Sequence, residues 1–558
     1  MTNYQIADSF SLLAKLLDIH GENSFKSKSY AITAFNIEKL PMQLSETPRE
    51  KIAGIKGIGA SSAQKITELL DTGKLSALEE IISKTPPGVI EMLNIKGIGP
   101  KKINSIWKEM EIETVGELLY ACKENRLKFF KGFGEKTQQA VADTIEFYQK
   151  NQGSHLYRNA EILVAPTQSF LEKIFPGKRV ALTGNFLRQL ETIDDLQFVV
   201  EMPVDEVEKT LAEVDGFTFK KKQDNRLYYS TTAGVDLTLI AATPSTFIST
   251  VLHSSSSPEF AEALQNLACF HDDHADDAAF FTAANLPFIP AYLREDASLL
   301  TPGANDLLAN HIQHGDIKGI IHSHSNWSDG NNTIEEMAKA AISRGLEYLV
   351  VSDHSKSAFY AQGLNEEKIQ AQHIYIDELN EQFSPFRIFK SIESDILNDG
   401  SLDYADDVLA TFDLVIASVH SNLKMTEEKA MARLLKAIEN PYTTILGHMT
   451  GRLLLSRKGY PVDHKKIIDA CAANHVVIEL NAHPNRLDMD WREIRYALDK
   501  NVLISIDPDS HYTEGLDDTR YGIMVAQKAM LPKEKNLSSF SLAEFETFIT
   551  ERKKMKGI

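Results

Sequence analysis

The pattern of apolar and polar positions changes at about residue 318. From there, short apolar runs of strand length alternate with amphipathic stretches of helical length, which is typical of a parallel α/β arrangement. The strand candidates are IKGIIHSHS, EYLVVSDH, FRIFKSIESD, LVIASVH, TTILGH, VVIELNA and NVLISIDPDSH, and helix candidates such as TIEEMAKAAISRG, EEKAMARLLKAIEN and VDHKKIIDACAANH lie between them. Seven strands with intervening helices predict a distorted or incomplete (β/α)7 barrel.

The first 150 residues show helical periodicity interrupted by glycine turns. Residues 6–17 and 25–40 predict two helices of a small all-α domain. An apolar residue, a G-x-G turn and an amphipathic helix then recur three times, in IAGIKGIGASSAQKITELL, LNIKGIGPKKINSIWKEM and FKGFGEKTQQAVADTI. These copies resemble the helix-hairpin-helix motif of DNA repair proteins.

The repeated turns predict binding of phosphate groups. Glycine permits a tight turn and a close approach to a ligand, and the turn N–H groups with the following helix N-terminus attract an anion without reading bases. A single G-x-G turn is more often a plain helix cap, but three copies within about 100 residues favour DNA binding. The turn glycines are Gly57, Gly59, Gly97, Gly99, Gly132 and Gly134, and the flanking lysines are Lys56, Lys96, Lys101, Lys102, Lys131 and Lys136.

Charge is distributed unevenly along the 558 residues. The net charge of −19 argues against nucleic acid as a partner, but residues 1–150 hold 20 Lys and Arg against 19 Asp and Glu. We therefore expect DNA contacts mostly in the first third, and the acidic remainder is consistent with a metal-rich site. Three widely spaced cysteines, no signal-peptide pattern and no apolar run of membrane-spanning length predict a cytoplasmic protein without a membrane segment.

Nearly every strand candidate of the C-terminal region ends in a potential metal ligand. In α/β barrels these strand ends converge on one face, where active sites lie. His322 and His324 are two residues apart, so both point to the same side of a strand, and Asp509 and His511 repeat that spacing. Imidazole and carboxylate together suit zinc, manganese or iron. Further strand-end candidates are Asp353, His354, Glu393, Asp395, His420 and His448, whereas His373, His464, His475 and His483 fall in predicted helices or loops and are interpreted as non-ligands.

The motifs HSHSNWSDG, SDHS, IESDI, SVH, GHMTGRLLLSRKGYPVD, ELNAHPNRLDMDW and DPDSH make residues 318–530 resemble the polymerase and histidinol phosphatase (PHP) domain. The resemblance is greatest to the form fused to bacterial family X DNA polymerases. It implies three divalent metal ions, manganese or zinc with iron as a further option. Their implied ligands are His322, His324, Asp329, His354, Glu393, His420, His448, Asp509 and His511.

The resemblance also implies how these ligands are shared. The first ion is held by His322, His324, Glu393 and Asp509; the second by Asp329, His354 and His511; and the third by Glu393, His420 and His448. Catalytic roles fall to Glu393, Asp509 and His324. Arg452 and Lys356 are candidates for binding substrate phosphates. For each of them, a role as plain surface charge is an equally weighted alternative.

Residues 151–300 resemble the palm and thumb of family X polymerases, with departures at the catalytic positions. The segment Arg179–Val200 resembles the palm strands that carry the D-x-D pair, and Asp236 matches the third carboxylate. The first aspartate of the pair aligns with Asp195, but the second position is Gln197. Asn185 and the run HSSSS at residues 253–257 replace nucleotide-binding elements of the family. Asp195 and Asp236 are therefore interpreted as a polymerase remnant, and Gln197 argues against a Mg²⁺ ion in the palm.

We expect a multidomain α/β protein of DNA repair or processing. Its expected chemistry is metal-dependent hydrolysis of DNA, as a 3′–5′ exonuclease and potentially at abasic sites, with weak or absent polymerase activity. The expected partner is single-stranded, gapped or nicked DNA. A small-molecule phosphatase, a gap-filling polymerase and a non-catalytic DNA-binding scaffold are the alternatives. The predicted domains are residues 1–80 and 81–150 (helical, DNA-binding), 151–245 (palm), 246–317 (thumb and linker) and 318–558 (PHP barrel).

Overall fold

The structure is a computed structural model that describes two compact units, Met1–Tyr148 and Gln149–Ile558. It describes the whole chain except Thr2, Asn23, Lys39, Pro41, Lys96 and residues 150–152. The flanking lysine Lys96 and the predicted boundary at residue 150 therefore lie outside the described residues. Among the described residues, no helix combines the length and the apolar character needed to cross a membrane.

The first unit contains helices and, within its described residues, no strand. The predicted helices over residues 6–17 and 25–40 are present as α1 and α2. Ile6, Phe10 and Leu13 are fully or almost fully buried on one side of α1, where they join the core of the unit. The helices are α1 Asn3–His20, α2 Ser24–Glu38, α3 Arg49–Ile52, α4 Ala60–Thr72, α5 Ser76–Ser83, α6 Pro87–Glu91, α7 Pro100–Lys108, α8 Val115–Lys123 and α9 Glu135–Gln149.

The second unit begins with a mixed five-stranded sheet. Its strand order is β2-β4-β7-β6-β5, in which β4 and β7 are parallel and the other neighbours are antiparallel. β1 and β3 form a separate antiparallel pair. The strands are β1 His155–Leu156, β2 Val180–Thr183, β3 Thr192–Ile193, β4 Asp195–Glu201, β5 Phe217–Gln223, β6 Arg226–Thr231 and β7 Asp236–Ala242. The helices of this region and of the thumb-like segment are α10 Tyr157–Ile174, α11 Gly184–Leu187, α12 Val204–Ala212, α13 Phe247–Ser254, α14 Pro258–Gln265, α15 Asp277–Ala283 and α16 Asn305–Ala309.

A seven-stranded parallel sheet follows in chain order, which confirms the predicted barrel architecture. The strands are β8 Gly319–Ile320, β9 Tyr348–Val351, β10 Arg387–Asp395, β11 Leu414–Ser418, β12 Thr443–Leu446, β13 Val477–Asn481 and β14 Ile504–Asp507. The helices are α17 Ile334–Ser343, α18 Glu366–Phe383, α19 Asp406–Leu409, α20 Glu427–Glu439, α21 His464–Asn474, α22 Trp491–Asp499, α23 Thr519–Lys528 and α24 Leu542–Lys556.

The barrel is nearly closed at Ser510, which bridges the segments that follow its first and last strands. Its carbonyl accepts a hydrogen bond from His324 N at 2.8 Å, and its N–H donates to the His322 carbonyl at 3.3 Å. A short isolated bridge also pairs Ser510 with Ser323. The backbone of the His-Ser-His segment is thereby held against the Asp-Ser-His segment, so the ends of both segments face the same space.

Ion pairs hold the palm-like sheet and thumb-like segment on the barrel within the second unit. The buried Lys528 of α23 donates from Nζ to the Arg188 carbonyl at 2.7 Å and to Glu295 Oε1 at 2.9 Å. Arg188 in turn pairs with Glu295 at 2.6 Å. Burial lowers the pKa of Lys528 to about 8, and Glu295 opposes that effect. Because these partners come from three separate segments, the network fixes how the segments pack.

Candidate metal centre

Nine predicted ligands meet at the C-terminal ends of the barrel strands. Parallel strands carry the residues that follow them to one edge, where the apolar runs give way to His, Asp and Glu. Eight of the nine residues are at most 4% exposed, and the His420 side chain is 7% exposed. The nine residues are His322, His324, Asp329, His354, Glu393, His420, His448, Asp509 and His511.

One group of potential ligand atoms surrounds Asp329. Its Oδ2 lies 3.5 Å from His354 Nε2, and its Oδ1 lies 3.4 Å from His511 Nε2. Together with His324, these residues offer four ligand atoms that all lie within 4.8 Å of one another. The group therefore contains the three residues assigned to the second ion and adds His324 to them.

A second group lies between the first and last strands. His324 Nε2 is 3.1 Å and His322 Nε2 is 3.5 Å from the same Asp509 oxygen, Oδ1. These three residues again offer ligand atoms within 4.8 Å of one another. Asp509 adopts φ of 52°, a left-handed backbone conformation that is costly for a residue other than glycine and is concentrated at functional sites.

Glu393 lies at the centre of the cluster and belongs to the third group, with His354 and His420. Its Oε1 is 2.9 Å from His448 Nε2 and 3.0 Å from His420 Nε2, and its Oε2 is 2.9 Å from His354 Nδ1. The imidazoles of His322 and His324 lie slightly further away, at 3.5 and 3.6 Å. One carboxylate thus faces five imidazoles, which is the position expected of a bridging ligand.

The donor set fits divalent cations. His322 Nε2 and His324 Nδ1 are buried without a hydrogen-bond partner among the described residues. A buried polar atom left in that state costs free energy, and a metal ion at these positions would remove the cost. Imidazole and carboxylate are ligands that manganese, zinc and iron accept.

The electrostatic environment also favours cations. Burial alone would raise the pKa of the Glu393 carboxyl, but His420, His322 and His354 hold it well below its usual value. Burial and the adjacent imidazoles of His511 and His354 lower the pKa of His324 to about 3. Burial alone would also lower the pKa of His322, but the carboxylates of Asp509, Glu479 and Glu393 outweigh burial and hold this pKa well above its usual value. Ionised carboxylates and a neutral His324 are the protonation states that bind a metal ion.

Several buried residues that were not predicted orient the candidate ligands. Glu479 Oε1 lies 2.5 Å from His322 Nδ1, and Asn481 donates from Nδ2 to Asp509 Oδ2 at 3.0 Å. Both residues lie on β13, whose predicted run VVIELNA was assigned no ligand. A carboxylate that accepts the second ring N–H of a histidine fixes its tautomer and orientation. The detectable signal was a glutamate in the middle of an otherwise apolar strand.

Asp353 and Asp395, two further strand-end candidates, support the site in different ways. Asp353 accepts hydrogen bonds from Ser325, Ser328 and Gln372 at 2.5–2.8 Å, so it ties the β8 and β9 loops to α18. Asp395 makes a short hydrogen bond with His420 Nδ1. Neither aspartate belongs to the groups of potential ligand atoms found among the described residues, and the same holds for His373, His464, His475 and His483.

The two candidate phosphate-binding cations are engaged within the protein. Arg452 pairs with Asp490 at 2.7 Å and donates from Nε to the Arg486 carbonyl at 3.0 Å. It therefore holds the loop after β12 against the loop after β13. The Lys356 ammonium lies 2.7 Å from Glu366 and 5.0 Å from the centre of the Tyr404 ring.

The three glycine turns of the first unit share one local structure. Gly57, Gly97 and Gly132 adopt φ of 88°, 96° and 90°, a conformation that L side chains rarely adopt. Gly59 and Gly99 are the N-caps of α4 and α7, and no side chain caps either helix. A Cβ added at Gly97, Gly99, Gly132 or Gly134 would meet no atom within 4 Å, so these turns are open to a ligand. Lys102 lies beside this backbone, with Nζ 3.4 Å from the Gly97 carbonyl, and Lys101 is exposed.

The palm-like sheet places Asp195 directly beside Asp236, on the parallel strands β4 and β7. Asp195 accepts a hydrogen bond from Gln197 Nε2 at 2.9 Å and a short one from Thr238. The Asp236 carboxylate pairs with Lys220 at 2.5 Å. Both carboxylates therefore contact other side chains of the sheet.

Comparisons with known proteins identify domain families in the first unit and in the barrel. Residues 1–75 match the model of a helix-hairpin-helix domain, residues 89–146 match that of a SAM-like helix-hairpin-helix tandem, and residues 321–483 match that of the PHP domain. A probable phosphatase of Caldanaerobacter subterraneus subsp. tengcongensis is 24% identical over 240 residues, which are 40% of this chain and 88% of the phosphatase. A probable phosphatase of Acetivibrio thermocellus is 26% identical over 236 residues, 40% of this chain and 90% of the relative.

One relative aligns with almost the entire chain. The DNA polymerase/3′-5′ exonuclease PolX of Bacillus subtilis (strain 168) is 30% identical over 561 residues, which cover 96% of this chain and 97% of the relative. The alignment thus spans the helical unit, the palm-like sheet and the barrel together. The chain belongs to the PolX group of family X DNA polymerases, with helix-hairpin-helix domains and a C-terminal PHP domain.

Proposed function

We propose that the PHP barrel removes nucleotides from the 3′ end of DNA by metal-dependent hydrolysis of phosphodiester bonds. The observation that carries the proposal is the central position of Glu393, which faces five buried imidazoles at the open ends of the barrel strands. The Bacillus subtilis relative is named a DNA polymerase/3′-5′ exonuclease, which supports the same activity.

We assign three divalent ions to the cluster, manganese or zinc with iron as a further option. The proposed ligands are those set out above, with Glu393 bridging and catalytic roles for Glu393, Asp509 and His324. Bound ions would neutralise the phosphodiester, lower the pKa of a water molecule and stabilise the leaving oxygen. The chain itself supplies orientation: Glu479 holds His322, Asp395 holds His420 and Asn481 holds Asp509.

We assign DNA binding to the glycine turns of the first unit, at Gly57, Gly59, Gly97, Gly99, Gly132 and Gly134 with Lys101 and Lys102. No side chain caps the helices that follow Gly59 and Gly99, and the backbone at Gly97, Gly99, Gly132 and Gly134 is open, which supports contacts with phosphates rather than bases. Single-stranded, gapped or nicked DNA is the proposed substrate. We keep the division into domains at residues 80, 150, 245 and 317 as part of this proposal.

Gap-filling synthesis is the second candidate function, because the relative is also named a DNA polymerase and Asp195 lies beside Asp236. We propose that this activity is weak or absent. Position 197, where a carboxylate ligand is expected, is a glutamine whose amide donates to Asp195. The Lys220 ammonium pairs with Asp236. A neutral amide is a poorer ligand for a hard divalent cation than a carboxylate.

A single incubation tests these proposals. Purified protein with Mn²⁺ is mixed with 5′-labelled single-stranded or gapped DNA, with and without nucleotides, and the Glu393→Gln variant is the matched control. We expect progressive shortening from the 3′ end that the variant lacks, and no extension. A 3′-terminal phosphorothioate should block shortening. Hydrolysis of p-nitrophenyl phosphate without any DNA shortening would instead establish a small-molecule phosphatase and overturn the exonuclease proposal.

A further inference from the structure

A cavity of about 560 Å³ lies between the loops that follow β10 and β11, outside the cluster of candidate ligands. One wall is the loop that follows β10, with Asn398 and Asp399, and the other is the loop that follows β11, with Asn422 and Lys424. The N-terminal half of α20 forms the floor, with Lys429 and Arg433. None of these residues has a place in the metal chemistry described above.

The cavity lies at the same edge of the barrel as the metal centre. Both of its loops leave the C-terminal ends of neighbouring parallel strands. Asn398 comes three residues after Asp395, and Asn422 comes two residues after His420. Because Asp395 is hydrogen-bonded to His420, the loops that line the cavity begin at residues of the candidate site itself.

The walls of the cavity are held in place by specific hydrogen bonds. Asn422 donates from Nδ2 to Asn398 Oδ1 at 2.9 Å, which joins the two loops. Arg433 donates from Nε to the Leu397 carbonyl at 2.9 Å and from Nη1 to the Ser421 carbonyl at 2.9 Å. One guanidinium therefore fixes both loops, so the cavity is a formed feature of the barrel rim.

The charge of the cavity is positive, although residues 151–558 carry 39 Lys and Arg against 59 Asp and Glu. Arg433 is 3% exposed, and its guanidinium donates to backbone carbonyls and to the Met425 sulfur. The acidic residue of the cavity, Asp399, is paired with Lys436 at 2.8 Å. Lys424 and Lys429 add two exposed ammonium groups at the rim. Exposed cations at the rim of a cavity attract an anion.

We propose that this cavity binds a phosphodiester group of a DNA strand whose 3′ end lies in the metal centre. The inference rests on the proposed function and deepens it, because it gives the barrel a reason to act on a polynucleotide rather than on a small phosphate ester. A strand that leaves the site past His420 meets amides and cations that suit phosphate oxygens. Phosphate contacts of this kind position a strand without reading its sequence.

The test compares two double variants that remove the same charge. Lys424→Gln with Lys429→Gln alters the cavity rim, and Lys465→Gln with Lys466→Gln alters the exposed side of α21 as a matched control. For exonuclease action on an oligonucleotide, we expect the cavity variant to raise KM about tenfold with kcat unchanged. Its slope of log KM against log salt should fall by about 1.4, since each lost contact with a single strand removes about 0.7. The small phosphodiester bis(p-nitrophenyl) phosphate should be hydrolysed as by the wild type.

Binding of dT4 provides an arm that does not depend on hydrolysis. Measured by fluorescence anisotropy on the full chain, its Kd should rise in the cavity variant and stay constant in the control. Competition with inorganic phosphate distinguishes a site for a DNA strand from a site for free phosphate. Millimolar phosphate would fill a site for free phosphate and displace dT4 from it. Equal KM, salt slope and dT4 affinity in the two double variants would overturn the proposal. Failure of the wild type to hydrolyse any phosphodiester, with dT4 binding still sensitive to the cavity lysines, would overturn the proposed exonuclease and leave this site standing.

Discussion

Glu393 in the barrel and Asp195 in the palm-like sheet are both acidic residues at an end of a β-strand, but their surroundings differ. Glu393 is 1% exposed and faces five imidazoles. Asp195 is partly exposed and accepts hydrogen bonds from Gln197 and Thr238. One carboxylate thus lies among metal-binding groups with unsatisfied nitrogen atoms, whereas the other is satisfied by neutral donors.

The same difference extends to the second carboxylate of each site. Asp509 in the barrel lies within 3.5 Å of two histidines, and its left-handed backbone is held in place by the barrel closure at Ser510. Asp236 in the palm-like sheet pairs with the exposed Lys220. The acidic residues of the barrel therefore contact side chains that are themselves potential metal ligands, whereas those of the palm-like sheet contact an amide, a hydroxyl and an ammonium group.

The largest expected effect is on the barrel. Glu393→Gln keeps the shape of the side chain but removes the charge that faces five imidazoles. We expect hydrolysis of DNA and of bis(p-nitrophenyl) phosphate to fall at least about a thousandfold, which corresponds to a loss of about 4 kcal/mol in transition-state stabilisation. Metal content, measured by mass spectrometry of the purified protein, should fall as well. Unchanged metal content and activity in a folded variant would remove Glu393 from the centre of the site.

A smaller effect is expected at Glu479, whose carboxylate contacts the His322 ring. Glu479→Gln leaves an amide beside His322 Nδ1 and weakens the hold on its ring. Changes of such orienting groups typically cost about 10- to 100-fold in metal affinity or activity. Titration of the metal-depleted protein with Mn²⁺ or Zn²⁺, followed by activity, measures this loss. The exposed Glu439→Gln change on α20 is the control, and an equal response of both variants would contradict an orienting role for Glu479.

Glu479 also shows where sequence reasoning reached its limit. An apolar run followed by His or Asp is visible in one stretch of chain, so the sequence predicted both the strands and the candidate ligands at their ends. The seven parallel strands are confirmed, and the ligand assignments stay a prediction. The pairing of Glu479 with His322 joins residues 157 positions apart, which no local pattern contains. For Arg452 the sequence left substrate phosphate binding and plain surface charge as equally weighted alternatives, and the structure pairs its side chain with Asp490.

The palm was predicted on different grounds. The interpretation of Asp195 and Asp236 followed from the resemblance to the family X palm, which makes Asp195 the first aspartate of the D-x-D pair and Asp236 the third carboxylate. The parallel register of β4 and β7 brings the two residues side by side. The sequence could not show that Lys220, on the edge strand β5, reaches Asp236, because this contact depends on the twist and order of the sheet. The resemblance therefore pointed to these two carboxylates, and only the tertiary structure shows which side chains contact them.

A test of the palm should give little gain of function. Gln197→Asp restores a carboxylate beside Asp195 but leaves Lys220 on Asp236 and Asn185 in the nucleotide-binding turn. We expect no robust primer extension from this change in Mg²⁺ or Mn²⁺, assayed on a Glu393→Gln background to suppress degradation. The unmodified palm on the same background is the control. Efficient templated extension by that control would show that Gln197 does not disable the palm.

The smallest effect is expected when both palm carboxylates are removed. In the double variant Asp195→Asn, Asp236→Asn, the amide at position 195 can still accept from Thr238, and Lys220 loses an ion pair that is 36–46% exposed. Such exposed pairs contribute at most about 1 kcal/mol, so the fold should persist. Because the barrel holds its own ligands, exonuclease activity and metal content should stay within about twofold of the wild type. Both are measured on the same preparation, with thermal unfolding as the check on folding. A tenfold loss of exonuclease activity in a fully folded double variant would show that the palm carboxylates take part in the barrel's reaction, and the contrast between the two sites would no longer hold.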